Sequence, residues 1–208
     1  MEKTIIIFAN SVKNKAHCIA GKCTQTLEWV RPVSTVDGKE LSDTQAKCKN
    51  PYGSFPVKTL QKVRIHFEQH APLINQPENY LISSNDWLQN FKIEPNEIIN
   101  YIDSLESLWG HSDRIRYQDI VDGTINVHQS LCLVQVNDVR LYLNQYDKRR
   151  VQFSYKDIGY DLAATDPNFN NLRTQHEFPL NSAILCVSLG EPYTDGNCYK
   201  IVAGIFIV

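Results

Sequence analysis

The sequence predicts a mainly β fold with a helical insertion, arranged as two small antiparallel barrels packed together. Three observations lead to it. Short apolar or alternating runs rich in β-branched residues recur through both halves, with turn residues between them. The middle of the chain switches to helical spacing, with Ile98, Ile102, Leu105 and Trp109 four, three and four residues apart. The first strand, Thr4 to Ala9, and the last, Tyr199 to Val208, are apolar without alternation, as strands covered on two faces are. Two closed barrels sharing an interface explain both. For the second half a small sandwich is the other architecture the strand spacing allows.

Taken in order, Asn10-Ser11 ends the first strand, and Ser11 to Lys15 is a polar turn. Cys18-Ile-Ala-Gly21 is a short strand whose small residues let another backbone come close. Leu27 to Val33 alternates, with Trp29, Arg31 and Val33 on one face, and Pro32 puts this strand near an edge or makes Arg31 its last paired residue. Ser34 to Pro56 is polar and reads as a long loop, either a surface excursion or a functional one. Val57 to Phe67 resumes as a strand in which Val63, Ile65 and Phe67 alternate with Lys62, Arg64 and His66. His70 to Tyr80 is a connector. Ser84 caps a short helix, Asn85 to Asn90. Pro95 opens a second helix that Gly110 ends.

Beyond Gly110, strands are expected at Ser130 to Val136, Val139 to Asn144, Val151 to Tyr155, Tyr160 to Ala164, Ala183 to Leu189 and Tyr199 to Val208. Asn137-Asp138 is a turn and Asn168 to Glu177 a polar loop. The expected domains are residues 1–110, a barrel with the helical segment at about 84–109, and residues 111–208, a second barrel. Its final strand is a candidate to pack on the first half.

The 208 residues, 42% hydrophobic and 21% charged, suit one large domain or two small ones. A formal charge of −2 gives no global attraction for nucleic acid, so such a role must rest on local patches. No apolar run reaches the roughly 20 residues of a membrane span. Met1-Glu2-Lys3 and a short apolar run make no secretory signal. A cytoplasmic protein without membrane contact is expected. The six cysteines form no CxxC pair and read as reduced thiols, several of them buried. There is no P-loop, GxGxxG, HExxH or GxSxG, and no cofactor or metal is expected.

Several runs carry a resemblance. Ala9-Asn-Ser-Val-Lys13 with Cys18-Ile-Ala-Gly21, and Trp29-Val-Arg-Pro-Val-Ser34, are the most specific. Gln76-Pro-Glu-Asn-Tyr80, Ser188-Leu-Gly-Glu-Pro192 and Tyr199-Lys-Ile-Val-Ala-Gly204 are weaker. Together they resemble a bacterial family with dual OB-fold domains, over nearly the whole chain. The resemblance implies a pair of OB-like barrels and a nucleic-acid or nucleotide-like ligand. It also implies a place in prokaryotic conflict and defence systems, as a sensor or adaptor beside a separate effector protein. It brings no catalytic mechanism, and its motif positions are candidate ligand contacts only.

The candidate contacts form two faces. The first holds Asn10, Ser11, Lys13, Trp29 and Arg31. Arg and Lys suit an anion, and Trp29 beside Arg31 suits base stacking. Residues 1–31 carry five basic groups against two acidic ones. The opposite reading makes Trp29 core and pairs Arg31 with an acid such as Glu28 or one elsewhere. The second face holds Arg140, Lys148, Arg149 and Arg150. The stretch Arg140 to Lys156 has five positive residues against Asp147, with Tyr142, Tyr146, Phe153 and Tyr155 interleaved. That is the make-up of an oligonucleotide-binding barrel surface; the bland reading is a charged turn beside core tyrosines.

His17 and Cys18 are neighbours on a strand and point to opposite faces, which makes a poor nucleophile–base pair. Asp161, Asp166 and Glu191 are candidate metal carboxylates in separate elements. The leading expectation is a binding module rather than an enzyme. One alternative is an enzyme acting on nucleic acids or nucleotides, with Lys13, Cys18 and the carboxylates in one pocket. The other is a protein-interaction scaffold using Trp87, Trp109 or an exposed edge.

Overall fold

A computed structural model describes residues 1–13 and 16–207, with the side chain of Lys13 outside that description. The chain divides into two compact units, Met1–Tyr101 and Ile102–Val208. It is mainly β, and each unit contains a closed five-stranded barrel.

The first unit runs β1 (Glu2–Lys13), β2 (Ala16–Cys23), β3 (Trp29–Val33), β4 (Leu41–Ser42), β5 (Lys47–Asn50), β6 (Gly53–Pro56), β7 (Gln61–His70), β8 (Asn79–Ile82) and β9 (Trp87–Lys92). Its barrel closes in the order β1-β2-β3-β8-β7 and back to β1, with β3 and β8 parallel. Ile5, Ile7, Val30, Val63, Ile65 and Phe67 fill it. β1 continues through Asn10-Ser11 to Lys13 instead of ending there. Its register slips between Ile7 and Ala9, and such a bulge bends one strand so that it can pair on both sides. The expected long loop Ser34 to Pro56 contains β4, β5 and β6, between the third and fourth barrel strands.

The second unit runs β10 (Arg114–Arg116), α1 (Tyr117–Val121), β11 (Leu131–Leu143), β12 (Arg149–Tyr155), β13 (Ile158–Ala164), α2 (Phe169–Gln175), β14 (Leu180–Pro192) and β15 (Asn197–Phe206). It closes as β11-β12-β13-β15-β14 and back to β11, with β13 and β15 parallel. Numbered along each barrel, both units follow the order 1-2-3-5-4-1, which is the Greek-key closure of an OB barrel. The final strand β15 pairs within the second unit. The polar loop at Asn168 holds α2, whose Phe169 is buried in the barrel core.

Three further expectations change. Asn137-Asp138 is a bulge, not a turn: β11 is one strand, its register shifts between Asn137 and Arg140, and Asp138 has φ of 53°. The expected helix at Asn85 to Asn90 is strand β9, pairing with β7 and in parallel with β5. The second expected helix is a 3-10 helix over Pro95–Tyr101 only. Beyond it, backbone groups that a helix would pair internally bond to the second barrel. The Tyr155 hydroxyl donates to the Leu105 carbonyl at 2.7 Å and accepts from the Leu105 N–H at 3.2 Å. The Tyr160 hydroxyl donates to the Gly110 carbonyl at 3.0 Å and accepts from the Leu108 N–H at 3.3 Å. Leu105, Leu108 and Trp109 pack on the same core, so their apolar spacing is satisfied without a helix.

Among the described residues no helix is long and apolar enough to cross a membrane. The six cysteines are free thiols, and all but Cys18 are buried.

Candidate functional site

The outer face of the first three strands is where an OB barrel offers itself to ligands. In the first unit that face is buried. Ile6 lies opposite Lys22, and Lys22 opposite Trp29, so the three share it. Trp29 is 5% exposed, meets Phe8 edge-on at 6.1 Å, and has the Lys22 ammonium 5.4 Å from its ring. Phe8 in turn packs 5.3 Å from Tyr101 of the 3-10 helix. Trp29 is therefore a packed residue and not an open stacking platform.

Arg31 is 8% exposed. Its Nε and a terminal nitrogen each lie 3.2 Å from Oε1 of Glu78, itself 6% exposed. The Arg31 backbone N–H also donates to the Glu78 carbonyl at 2.8 Å. The acid beside Arg31 thus comes from Gln76-Pro-Glu-Asn-Tyr80 and not from Glu28. The parallel pairing of β3 with β8, Arg31 opposite Asn79, brings two distant motifs together.

Asn10 has a joining role. Its amide donates to the Val57 carbonyl at 2.7 Å, and its Oδ1 lies 2.9 Å from His17 Nδ1. His17 Nε2 is 2.9 Å from Asp43, so the chain of contacts ties the β1–β2 hairpin to the inserted segment. Ser11 is half-buried opposite Cys18. The side chain of Lys13 lies outside the described residues.

On the same face of the second barrel, Leu131 and Leu133 are buried, but the part towards the β11–β12 hairpin is open. Arg140 stands opposite Gln152, and Tyr142 opposite Arg150, all directed outward. Val139, Leu141, Val151 and Phe153 point into the core between them. Strand β13 adds Asp161 opposite Gln152. The Arg140 guanidinium lies 5.5 Å from the Tyr142 ring. The Tyr142 hydroxyl donates to Asp161 at 2.5 Å, and Arg150 Nε donates to its other oxygen at 3.0 Å. The hydrogen bond to Asp161 holds the Tyr142 phenol above its ordinary pKa. Asp161 therefore orients a ring and a guanidinium side by side.

At the β11–β12 hairpin the Asn144 side-chain oxygen accepts from the Tyr146 N–H at 2.9 Å and the Lys148 N–H at 3.0 Å. This presents Lys148 and Tyr146, the latter 70% exposed, at the tip. Arg149 turns the other way: it donates to the Asp166 carbonyl at 3.2 Å and lies 5.8 Å from the Phe169 ring of α2. The structure thus gathers Arg140 and Arg150 on one face with Lys148 at its hairpin, and separates Arg149 from them. Such a face can meet phosphates with guanidinium groups, stack a base on Tyr142, and read polar base edges through Gln152 and Asp161.

Of the three carboxylates weighed as metal ligands, Glu191 is exposed and the other two have partners of their own. Asp161 holds Arg150 and Tyr142. Asp166 accepts the Asn168 and Ile205 N–H groups, each at 2.7 Å, and burial pushes its carboxyl up. Among the described residues no group of three or more His, Cys, Asp or Glu side chains is placed to hold a metal ion. One feature escaped the sequence reading. A cleft of about 310 Å³ lies in the first unit, lined by β5, β6 and the turn after β8. Its only sequence signal is the Lys47-Cys48-Lys49 alternation inside a stretch read as loop.

No curated protein matches this chain. A family model, that of the dual OB-containing domain, matches residues 3–205 and so takes in both barrels. By that match, together with the same OB strand order found twice, the chain belongs to the dual OB-containing domain family.

Proposed function

We propose that the chain is a binding module that holds single-stranded nucleic acid, or a nucleotide-like ligand, on the outer face of β11, β12 and β13. The observation that carries this reading is the contrast between two equivalent faces. One is buried around Trp29; the other opens towards its hairpin, where it carries Arg140 with the half-buried Tyr142 and Arg150. Single strands suit the face better than duplex. Its aromatic ring can stack only on an unpaired base, and the chain's formal charge of −2 offers no broad field for a double helix. Arg140 and Lys148 contact phosphate, and Arg150 exchanges part of its bond to Asp161 for the ligand. The family resemblance extends the proposal to a sensor or adaptor that works beside a separate effector in bacterial conflict systems.

The test is a titration of labelled single-stranded DNA and RNA, with duplex controls, across a range of salt. Binding should weaken linearly on a log–log plot. Arg140→Ala should weaken it for every sequence and lower the salt slope by about one phosphate contact. No binding at low salt, or binding untouched by both Arg140→Ala and Arg150→Ala, contradicts the proposal.

A further inference from the structure

The cleft in the first unit shares no lining residue with the nucleic-acid face. It lies in the inserted segment that separates the third and fourth barrel strands and in the turn that follows the fifth. Its volume, about 310 Å³, sits at the lower end of the roughly 300–1,000 Å³ of small-molecule sites. A single small metabolite fits that volume.

The lining decides the chemistry. Lys47 and Lys49 are two residues apart on β5, so both leave the same side of the strand. Ser54 is directly opposite Lys49 on β6 and shares that side. Across the cleft stand Ser84 and Asn85. Gln45 Oε1 accepts from the Ser42 N–H at 2.9 Å and from its hydroxyl at 3.0 Å. The Gln45 amide nitrogen is therefore the end left for a ligand. A single carboxylate lines the cleft, Asp86, and Lys49 engages it at 2.5 Å. Lys47 has no such neighbour among the described residues, and its exposed ammonium is the uncompensated charge of the site. Trp87, buried at the base, adds an apolar wall.

Donors thus outnumber acceptors, one positive charge is unbalanced, and hydroxyl and amide groups surround it. A cation is disfavoured there, and a purely apolar molecule would leave the polar wall unpaired. We propose that this cleft binds a small phosphate monoester, a sugar phosphate or mononucleotide. Lys47 meets the phosphate, and the Ser54, Ser84, Asn85 and Gln45 side chains meet the polar body of the ligand.

The experiment is calorimetric titration of the full chain with ribose 5-phosphate, adenosine 5′-monophosphate and inorganic phosphate, for wild type, Lys47→Ala and Lys47→Arg. Saturable binding of one or both esters is expected. Lys47→Ala should weaken it about tenfold to a hundredfold, the effect of losing one charge-assisted contact. Lys47→Arg should keep most of the affinity. Tighter binding of the mononucleotide than of the sugar phosphate identifies the base as a further contact; equal binding identifies phosphate and sugar as sufficient. No response to either ester, inorganic phosphate binding as tightly as the esters, or ester binding unchanged in Lys47→Ala would each overturn the proposal. Lys47 is exposed, so the variants should fold, and circular dichroism verifies it.

Discussion

Arg31 and Glu78 show how a residue can look like a ligand contact and act as structure. Both side chains are removed from water and paired with each other. Removing one costs the other a 3.2 Å ion contact in a buried setting. Arg31→Ala is therefore expected to destabilise the chain by about 3–5 kcal/mol. Glu28→Ala, at an exposed site, should fall within about 0.5 kcal/mol of wild type. Chemical denaturation of the two variants checks this, and equal midpoints would contradict it. The pair was half legible: an acid beside Arg31 is a natural expectation, but its identity depends on a parallel strand pairing across 47 positions of chain. Lys200 was not legible at all. It is buried inside an apolar strand, donates to the Gly110 carbonyl at 2.8 Å and also to that of Ser112, and burial lowers its pKa to about 8. Its partners lie some 90 positions earlier, where no local pattern points to them.

At the scale of elements, the β1–β2 hairpin depends on a close backbone approach. A Cβ on Gly21 would stand 2.2 Å from the Ile6 carbonyl oxygen, far inside van der Waals contact. Gly21→Ala must push β1 and β2 apart in the middle of a closed barrel. The expected loss is more than about 2 kcal/mol, in the range of backbone clashes at packed positions, read from the denaturation midpoint. A neutral Gly21→Ala would mean that the hairpin is not packed as described. The small-residue run Cys18 to Gly21 announced this approach, just as the alternation at Val63, Ile65 and Phe67 announced a strand with one face inward. Helical spacing misled for a definite reason. Apolar spacing is satisfied by any partner that reaches it, and here Leu105 and Trp109 pack on the core of their own barrel, whose tyrosine hydroxyls bond the Leu105 and Gly110 carbonyls. Turn residues misled in the same way at Asn137-Asp138, where a positive φ at Asp138 serves a bulge within one long strand.

For the whole molecule, the strand count and turn spacing were enough to indicate two barrels, because closure is the economical way to finish short antiparallel strands without open edges. The repeated OB order was not readable as a repeat, since the first barrel carries three extra strands where the second carries α2. Nor did local sequence tell which basic–aromatic face is open. Trp29 with Arg31 and Tyr142 with Arg150 look alike in sequence; only the pairing of distant strands buries the first and leaves the second partly open to solvent. The functional proposal rests on that difference, and it is a difference that can be mapped residue by residue. The most direct measurement is the NMR spectrum of the chain as a short single-stranded oligonucleotide is added to saturation. The largest shifts are expected at Arg140, Tyr142, Arg150, Gln152 and the hairpin around Tyr146 and Lys148, with the Trp29 indole unmoved. Large shifts confined to the first unit while β11, β12 and β13 stay silent, or no shifts at any ratio, would contradict it.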